Sequence, residues 1–169
     1  AVDATSPEIK KKYKDVGICH ARGVKSIKAI TPMIELVKRG CLILSDNDTP
    51  AKDQKKLYEQ EKGYGKWLTY QDIDSIIEAI TGEDFLKNDF LTKQINATLS
   101  GKSMPTFNET ALPAKKEKLA AIKKWLVDNG MTNDQMEDTI KLIKDNFFEN
   151  LKPQNIEDIY TKILKGISL

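Results

Sequence analysis

Leu42-Ile43-Leu44-Ser45-Asp46-Asn47-Asp48-Thr49-Pro50-Ala51 is the stretch on which the reading of this chain turns. Four residues, Cys41 to Leu44, are continuously apolar, the pattern of a strand covered on both faces in a parallel sheet. The run then stops at two aspartates one residue apart. Along an extended segment, residues i and i+2 point the same way. In open α/β sheets, functional groups collect just beyond the carboxyl ends of the strands. Asp46 and Asp48 are therefore expected side by side at a strand tip.

Upstream, Asp15-Val16-Gly17-Ile18-Cys19-His20 reads as a short strand and Ala21-Arg22-Gly23 as a turn. Ile27, Ile30, Ile34 and Val37 share one helical face, and Gly40 stands where a helix C-terminus favours glycine. Pro32 interrupts that helix unless Thr31 caps it and Pro32 opens its main part. Strand, helix and strand over residues 15–45 make a βαβ unit. Downstream come a charged helix from Ala51 to about Lys62 and a turn at Gly63-Tyr64-Gly65. Lys66-Trp67-Leu68-Thr69-Tyr70 is the next strand. Helical patterns follow from Asp72 to Glu78 and after Glu83. Residues 100–113, with Pro105 and Pro113, read as a linker. Beyond it, Leu119, Ile122 and Leu126 mark one helix that Gly130 ends. Thr132 caps a second with Met136, Ile140, Ile143, Phe147 and Leu151. Pro153 opens a third with Ile156, Ile159, Ile163 and Ile167.

The net charge of +2 excludes a chain-wide electrostatic footprint for nucleic acid, so any such binding needs a local patch. No apolar run reaches the roughly 20 residues of a membrane span. The first residues carry neither the basic head nor the apolar stretch of a signal peptide. The chain begins without methionine, as an excised piece of a longer protein would. Cys19 and Cys41 fall in apolar runs, as small buried thiols in a reducing, cytoplasmic compartment do. Lys10-Lys11-Lys12-Tyr13-Lys14 reads as a solvated helix face or a phosphate contact.

Two adjacent ionised acids repel unless a cation lies between them. Mg²⁺ or Mn²⁺ held by a few carboxylates, waters and phosphate oxygens resolves the conflict. Ser-Asp-Asn-Asp-Thr-Pro is equally a good turn and helix N-cap sequence, and both readings stay open. An EF-hand is excluded by the missing glycine and glutamate. Gly101-Lys102-Ser103 matches the tail of a P-loop, but Asn96 stands where its first glycine belongs.

With Gly23 and the helix after it, Cys41 to Ala51 resembles the second half of a Toprim domain. That is the metal-binding module of topoisomerases, primases and overcoming-lysogenisation-defect (OLD) family nucleases. Thr69-Tyr70-Gln71-Asp72-Ile73, followed by Ile80-Thr81-Gly82-Glu83-Asp84-Phe85-Leu86, is similar to the later part of the OLD pattern. The resemblance spans about residues 15–120. It implies an α/β fold: a partial Toprim-like parallel sheet with flanking helices over residues 1–100, then a helical subdomain over 114–169. It implies Asp46, Asp48, Glu83 and Asp84 as metal ligands, and Lys115 or Lys116 as the lysine that neutralises charge on a phosphate. DNA is the implied substrate, and the ATPase domain of the same parent protein the implied neighbour. A Toprim domain also opens with a strand bearing a glutamate, and no such strand precedes residue 15. The chain is then expected to be the C-terminal part of a longer nuclease, inactive alone. The absent strand leaves an open sheet edge, from which a homo-oligomer is expected.

Around the tip, Arg22 and Lys25 are candidate contacts to DNA phosphates, with solvated side chains the competing reading. His20 is the one histidine, readable as a general base or as a strand-end hydrogen-bonding group. Tyr64, Trp67 and Tyr70 read as core packing or as a stacking surface. Asp84 reads also as a helix cap. The opposing functional class is a non-catalytic structural or interaction module with a degenerate Toprim-like fold. A response-regulator-like phosphate domain ranks third, because Gly17-Ile18-Cys19-His20 lacks the acidic pair it requires.

Overall fold

The computed structural model describes residues 7–21 and 23–167. The fold is α/β and mostly helical, with a two-stranded parallel sheet. It divides into two compact units, Ala1–Ile80 with Ile159–Leu169, and Thr81–Asp158.

The first unit runs α1 (Pro7–Lys12), α2 (Ile27–Leu36), β1 (Leu42–Ser45), α3 (Thr49–Gln60), β2 (Lys66–Thr69), α4 (Tyr70–Ile73) and, from the far end of the chain, α8 (Tyr160–Gly166). β1 and β2 pair in parallel, Leu42 opposite Lys66 and Ser45 opposite Thr69. The βαβ unit is therefore β1–α3–β2, not residues 15–45 as expected. Residues 16–20 join no ladder, and Ile18 is 86% exposed. A strand-like sequence forms a strand only where a neighbour supplies backbone partners, and none is present for it among the described residues. Cys19 is accordingly exposed and Cys41 half-buried, where buried thiols were expected; burial raises the Cys41 pKa.

α2 also departs from expectation. It begins at Ile27 and carries Pro32 within it, so Thr31 is no cap. The Thr31 hydroxyl instead donates to the Ile27 carbonyl at 3.2 Å and accepts from Tyr58 Oη at 2.7 Å. The helix stops at Leu36, and Lys38 (φ 52°) takes the left-handed position expected of Gly40. Ile27, Ile43, Tyr58 and Trp67 form the small core, with the Tyr58 and Trp67 rings edge to face, 5.2 Å between centroids. Gly65 turns the chain into β2 at φ 92°, where a Cβ would lie 2.6 Å from the Cys41 carbonyl oxygen. Part of the basic run is not solvated. Lys12 Nζ donates to the carbonyls of Leu164 and Lys165 at the end of α8, at 3.2 and 2.8 Å, and the Tyr13 hydroxyl donates to Leu164 at 2.8 Å.

The second unit holds α5 (Asn88–Leu99), α6 (Lys118–Asp128) and α7 (Asn133–Asn150) around the larger core. That core includes Leu91, Ile95, Ile122, Leu126, Ile143 and Phe147. The Thr132 cap and the Gly130 stop are as read: Thr132 Oγ1 accepts from the Gln135 N–H at 3.3 Å, and Gly130 has φ 96°. Residues 100–113 are not a loose connector. Phe107 is 1% exposed, and the Asn96 side chain clasps its N–H and C=O at 2.8 and 3.0 Å. Its ring meets Trp125 edge to face at 5.0 Å. The third expected helix is broken. Pro153 opens only a 3₁₀ turn, Pro153–Asn155; Ile156 pairs with Leu86 in an isolated antiparallel bridge; and α8 belongs with the first unit. No helix among the described residues is long and apolar enough to cross a membrane.

Candidate metal centre at the strand tip

β1 delivers Ser45 to its buried face, where Ser45 Oγ accepts from Trp67 Nε1 at 2.8 Å and donates to the Asp46 carbonyl at 3.2 Å. Indole and hydroxyl thus fix the last strand residue before the acids. Asp46 is half-buried, and its Oδ1 accepts the Tyr70 hydroxyl at 2.8 Å. Asp48 is the N-cap of α3: its backbone is extended, its Oδ1 accepts from the Ala51 N–H at 2.9 Å, and Pro50 sits in the first turn. Of the two readings of the tip, the turn and N-cap is the one the structure displays; the cap uses one oxygen of Asp48.

Between the acids, the Asn47 N–H donates to the Ile80 carbonyl at 2.7 Å. Asn47 is 5% exposed, and its buried Oδ1 has no hydrogen-bond partner. A buried acceptor without a donor costs about 1–3 kcal/mol, and an ordered water or ion is one way to relieve it; side-chain oxygens of Thr81, Asn88 and Thr92 in the second unit share the condition. The donor chemistry suits a hard cation, since carboxylate and amide oxygens are what Mg²⁺ and Mn²⁺ take. Among the described residues no group of three or more His, Cys, Asp or Glu gathers, so waters and phosphate oxygens would complete the shell.

A third acid lies at the end of β2 in this unit. Asp72 Oδ2 accepts from Lys55 Nζ at 2.8 Å and from the Thr69 N–H and hydroxyl at 2.6 and 2.8 Å. Burial pushes the Asp72 carboxyl up, but the bonds from Lys55 and Thr69, with the Lys55 charge, hold it below its ordinary value. The sequence offers Asp72 as the start of a helical pattern and as part of the resemblance, not as an acid of the site. Its spacing of three from Thr69 is a capping-box signal.

The other expected ligands belong to the second unit. Glu83 is 6% exposed and pairs with Lys144 Nζ at 2.7 Å. Asp84 is 2% exposed; its Oδ2 accepts from the Thr81 N–H at 3.1 Å and its Oδ1 from the Lys118 N–H at 2.8 Å. The Asp84 carboxylate therefore knots a 3₁₀ turn, Gly82–Phe85, to the start of α6. Lys115 and Lys116 are exposed in the bend before α6. The lysine that goes inside is Lys118, which sequence reasoning missed. It is 0% exposed, with Nζ 2.6 Å from the Leu86 carbonyl oxygen and 3.7 Å from Glu157. Its signal was legible: Lys118, Ile122 and Leu126 are spaced by four, so the apolar stripe of α6 runs back to it. Lys25 is exposed in a 3₁₀ turn, Val24–Ser26, and His20 is exposed in the unpaired segment. Arg22 lies outside the described residues. Tyr70 and Trp67 are buried and Tyr64 half-buried, so stacking on bases has no open ring at Trp67.

No family model, curated protein or solved structure matches this chain.

Proposed function

We propose that the Asp46-Asn47-Asp48 tip binds Mg²⁺ or Mn²⁺, within the C-terminal part of an OLD-type, metal-dependent nuclease acting on DNA. The observation that carries the reading is the unpartnered, buried Oδ1 of Asn47, the residue that separates the two strand-tip aspartates in sequence. When bound, a divalent cation neutralises phosphate charge and lowers the pKa of a coordinated water. The chain's own residues supply position. Trp67 and Ser45 fix the strand end, Tyr70 orients Asp46, and the α3 cap orients Asp48. In this reading a Toprim-like glutamate and the ATPase domain come from elsewhere in the parent protein, and this chain does not cleave DNA alone.

The test is calorimetric titration of Mg²⁺ and Mn²⁺ into the chain and into Asp46→Asn/Asp48→Asn. Asparagine still accepts from Tyr70 and is as good an N-cap as aspartate, so the fold is kept while the charges go. Binding heat that the double variant loses is the expected result. No heat from the wild type, or equal heat from both, removes the metal reading.

A second reading, a non-catalytic interaction module that self-associates, has its own observation. Met33 and Leu36 of α2 and Val37 just after it are 68%, 81% and 66% exposed, and Leu44 of β1 is 39% exposed. Sedimentation at rising concentration separates it: a monomer throughout removes it.

A further inference from the structure

α3 begins at Asp48, the cap that is also the proposed ligand, and its outer face is basic. At 100° per residue, Lys52, Lys55 and Lys56 fall in one arc of about 100°. At the foot of the helix, α3 and β2 enclose a groove of ≈ 410 Å³ lined by Lys55, Lys62, Gly63, Gly65, Lys66 and Trp67, with Tyr58 and Glu59. Lys55 is already neutralised by Asp72 at 2.8 Å and Glu59 at 3.8 Å, and Glu61 by Lys28 at 2.6 Å. Lys52, Lys56, Lys62 and Lys66 are exposed and carry no ion pair among the described residues. Lys52 and Lys56 on the helix, Lys62 after it and Lys66 at the start of β2 are thus four cations without an ion pair among the described residues, against Glu59, which falls inside the arc beside Lys55, and Asp53, about 60° outside it.

The groove offers charge without side-chain recognition. The Tyr58 hydroxyl is spent on Thr31 and on the Tyr64 carbonyl, and Trp67 Nε1 on Ser45. That arrangement suits a regular polyanion more than a particular peptide sequence. From Asp48 to Gln60 the helix rises about 18 Å, a length along which a B-form strand presents about five phosphates. We infer that α3 and the Gly63–Gly65 turn form a track for the sugar-phosphate backbone of a DNA strand, leading away from the strand tip. The choice of DNA as the polyanion rests on the proposed function. The binding itself needs no metal.

The experiment is fluorescence anisotropy of a labelled single-stranded DNA, titrated with the chain in EDTA at several salt concentrations. The comparison is with Lys52→Gln/Lys62→Gln/Lys66→Gln. These side chains are exposed, so the fold should persist, and circular dichroism checks that it does. A control, Lys123→Gln/Lys124→Gln/Lys141→Gln, removes equal charge from the second unit. The expected result is binding by the wild type and the control. The track variant should bind at least about tenfold more weakly, with a salt slope smaller by about 2, since each lost phosphate contact is worth about 0.7 on a single strand. No DNA binding by the wild type, equal loss in both variants, or displacement of DNA by polyglutamate at matched charge each overturns the track. Asp46→Asn/Asp48→Asn in the same EDTA assay keeps the two ideas apart. DNA binding without Mg²⁺ heat leaves the track standing, and Mg²⁺ heat without DNA binding removes the track alone.

Discussion

Replacing Lys118 with methionine should destabilise the second unit by about 1–3 kcal/mol. The arithmetic starts at the Leu86 carbonyl oxygen, which accepts from Lys118 Nζ at 2.6 Å. A hydrogen bond to a charged group is worth about 1.5–3 kcal/mol net, and a buried carbonyl left bare costs about 1–3 kcal/mol. The Glu157 contact at 3.7 Å adds little, because Glu157 is 37% exposed and screened. Against these losses stands relief of a buried charge. Burial pushes the Lys118 pKa below its ordinary 10.5, although the Glu157 and Asp84 charges pull it up. Methionine keeps most of the stem's packing and the backbone N–H bond to Asp84. Lys118→Ala also empties the stem's space, at about 0.8 kcal/mol per methylene, and should cost about 3–5 kcal/mol. Urea denaturation followed by circular dichroism gives both numbers. The pH dependence adds an independent check. A lysine whose pKa is depressed on folding contributes stability that is full above 10.5 and is lost as pH falls through the folded value. The gap between wild type and Lys118→Met should therefore widen as pH rises through that window. A methionine variant as stable as wild type would refute the assignment of Lys118 as the anchor of the Leu86 carbonyl.

Gly65→Ala should destabilise the first unit by about 1–3 kcal/mol, since the added Cβ meets the Cys41 carbonyl at a left-handed backbone position; thermal melts measure it, and an unchanged midpoint counts against the turn from α3 into β2 as described. Asp72 is held below its ordinary pKa, so its contribution to stability is present above pH 3.8 and is lost as pH falls through its folded value. Acid titration of wild type against Asp72→Asn should show the two curves converging in that range. Parallel curves would mean that the Lys55 and Thr69 bonds do not act on the carboxyl.

The sequence by itself determined the local features. Four apolar residues ending in acids are a strand and its tip. Thr132 with Gln135 is a cap, and stripes spaced by three and four are helices with one buried face. These depend on neighbours within a turn or two, so they are visible in a short window. The tertiary structure decided the rest. Val16 to His20 reads as well as β1 does, but a strand is a property of two segments, and among the described residues Leu42–Ser45 has a partner, at Lys66–Thr69, while Val16 to His20 has none. Residues 100–113 look like a linker because prolines and polar residues dominate. They are packed because Asn96 and Trp125, distant in sequence, hold Phe107. The five-residue stretch Ala114 to Lys118 holds three lysines; the spacing of Lys118 with Ile122 and Leu126 marks one of them in the sequence, but only the packed structure supplies the Leu86 carbonyl that holds its ammonium inside. At the tip, the sequence put two aspartates one residue apart. Only the packed structure shows Tyr70 on Asp46, the helix cap on Asp48 and the bare oxygen of buried Asn47, because the first two depend on groups that the chain brings back from at least three residues away, in the case of Tyr70 from the end of the neighbouring strand, and the third on burial.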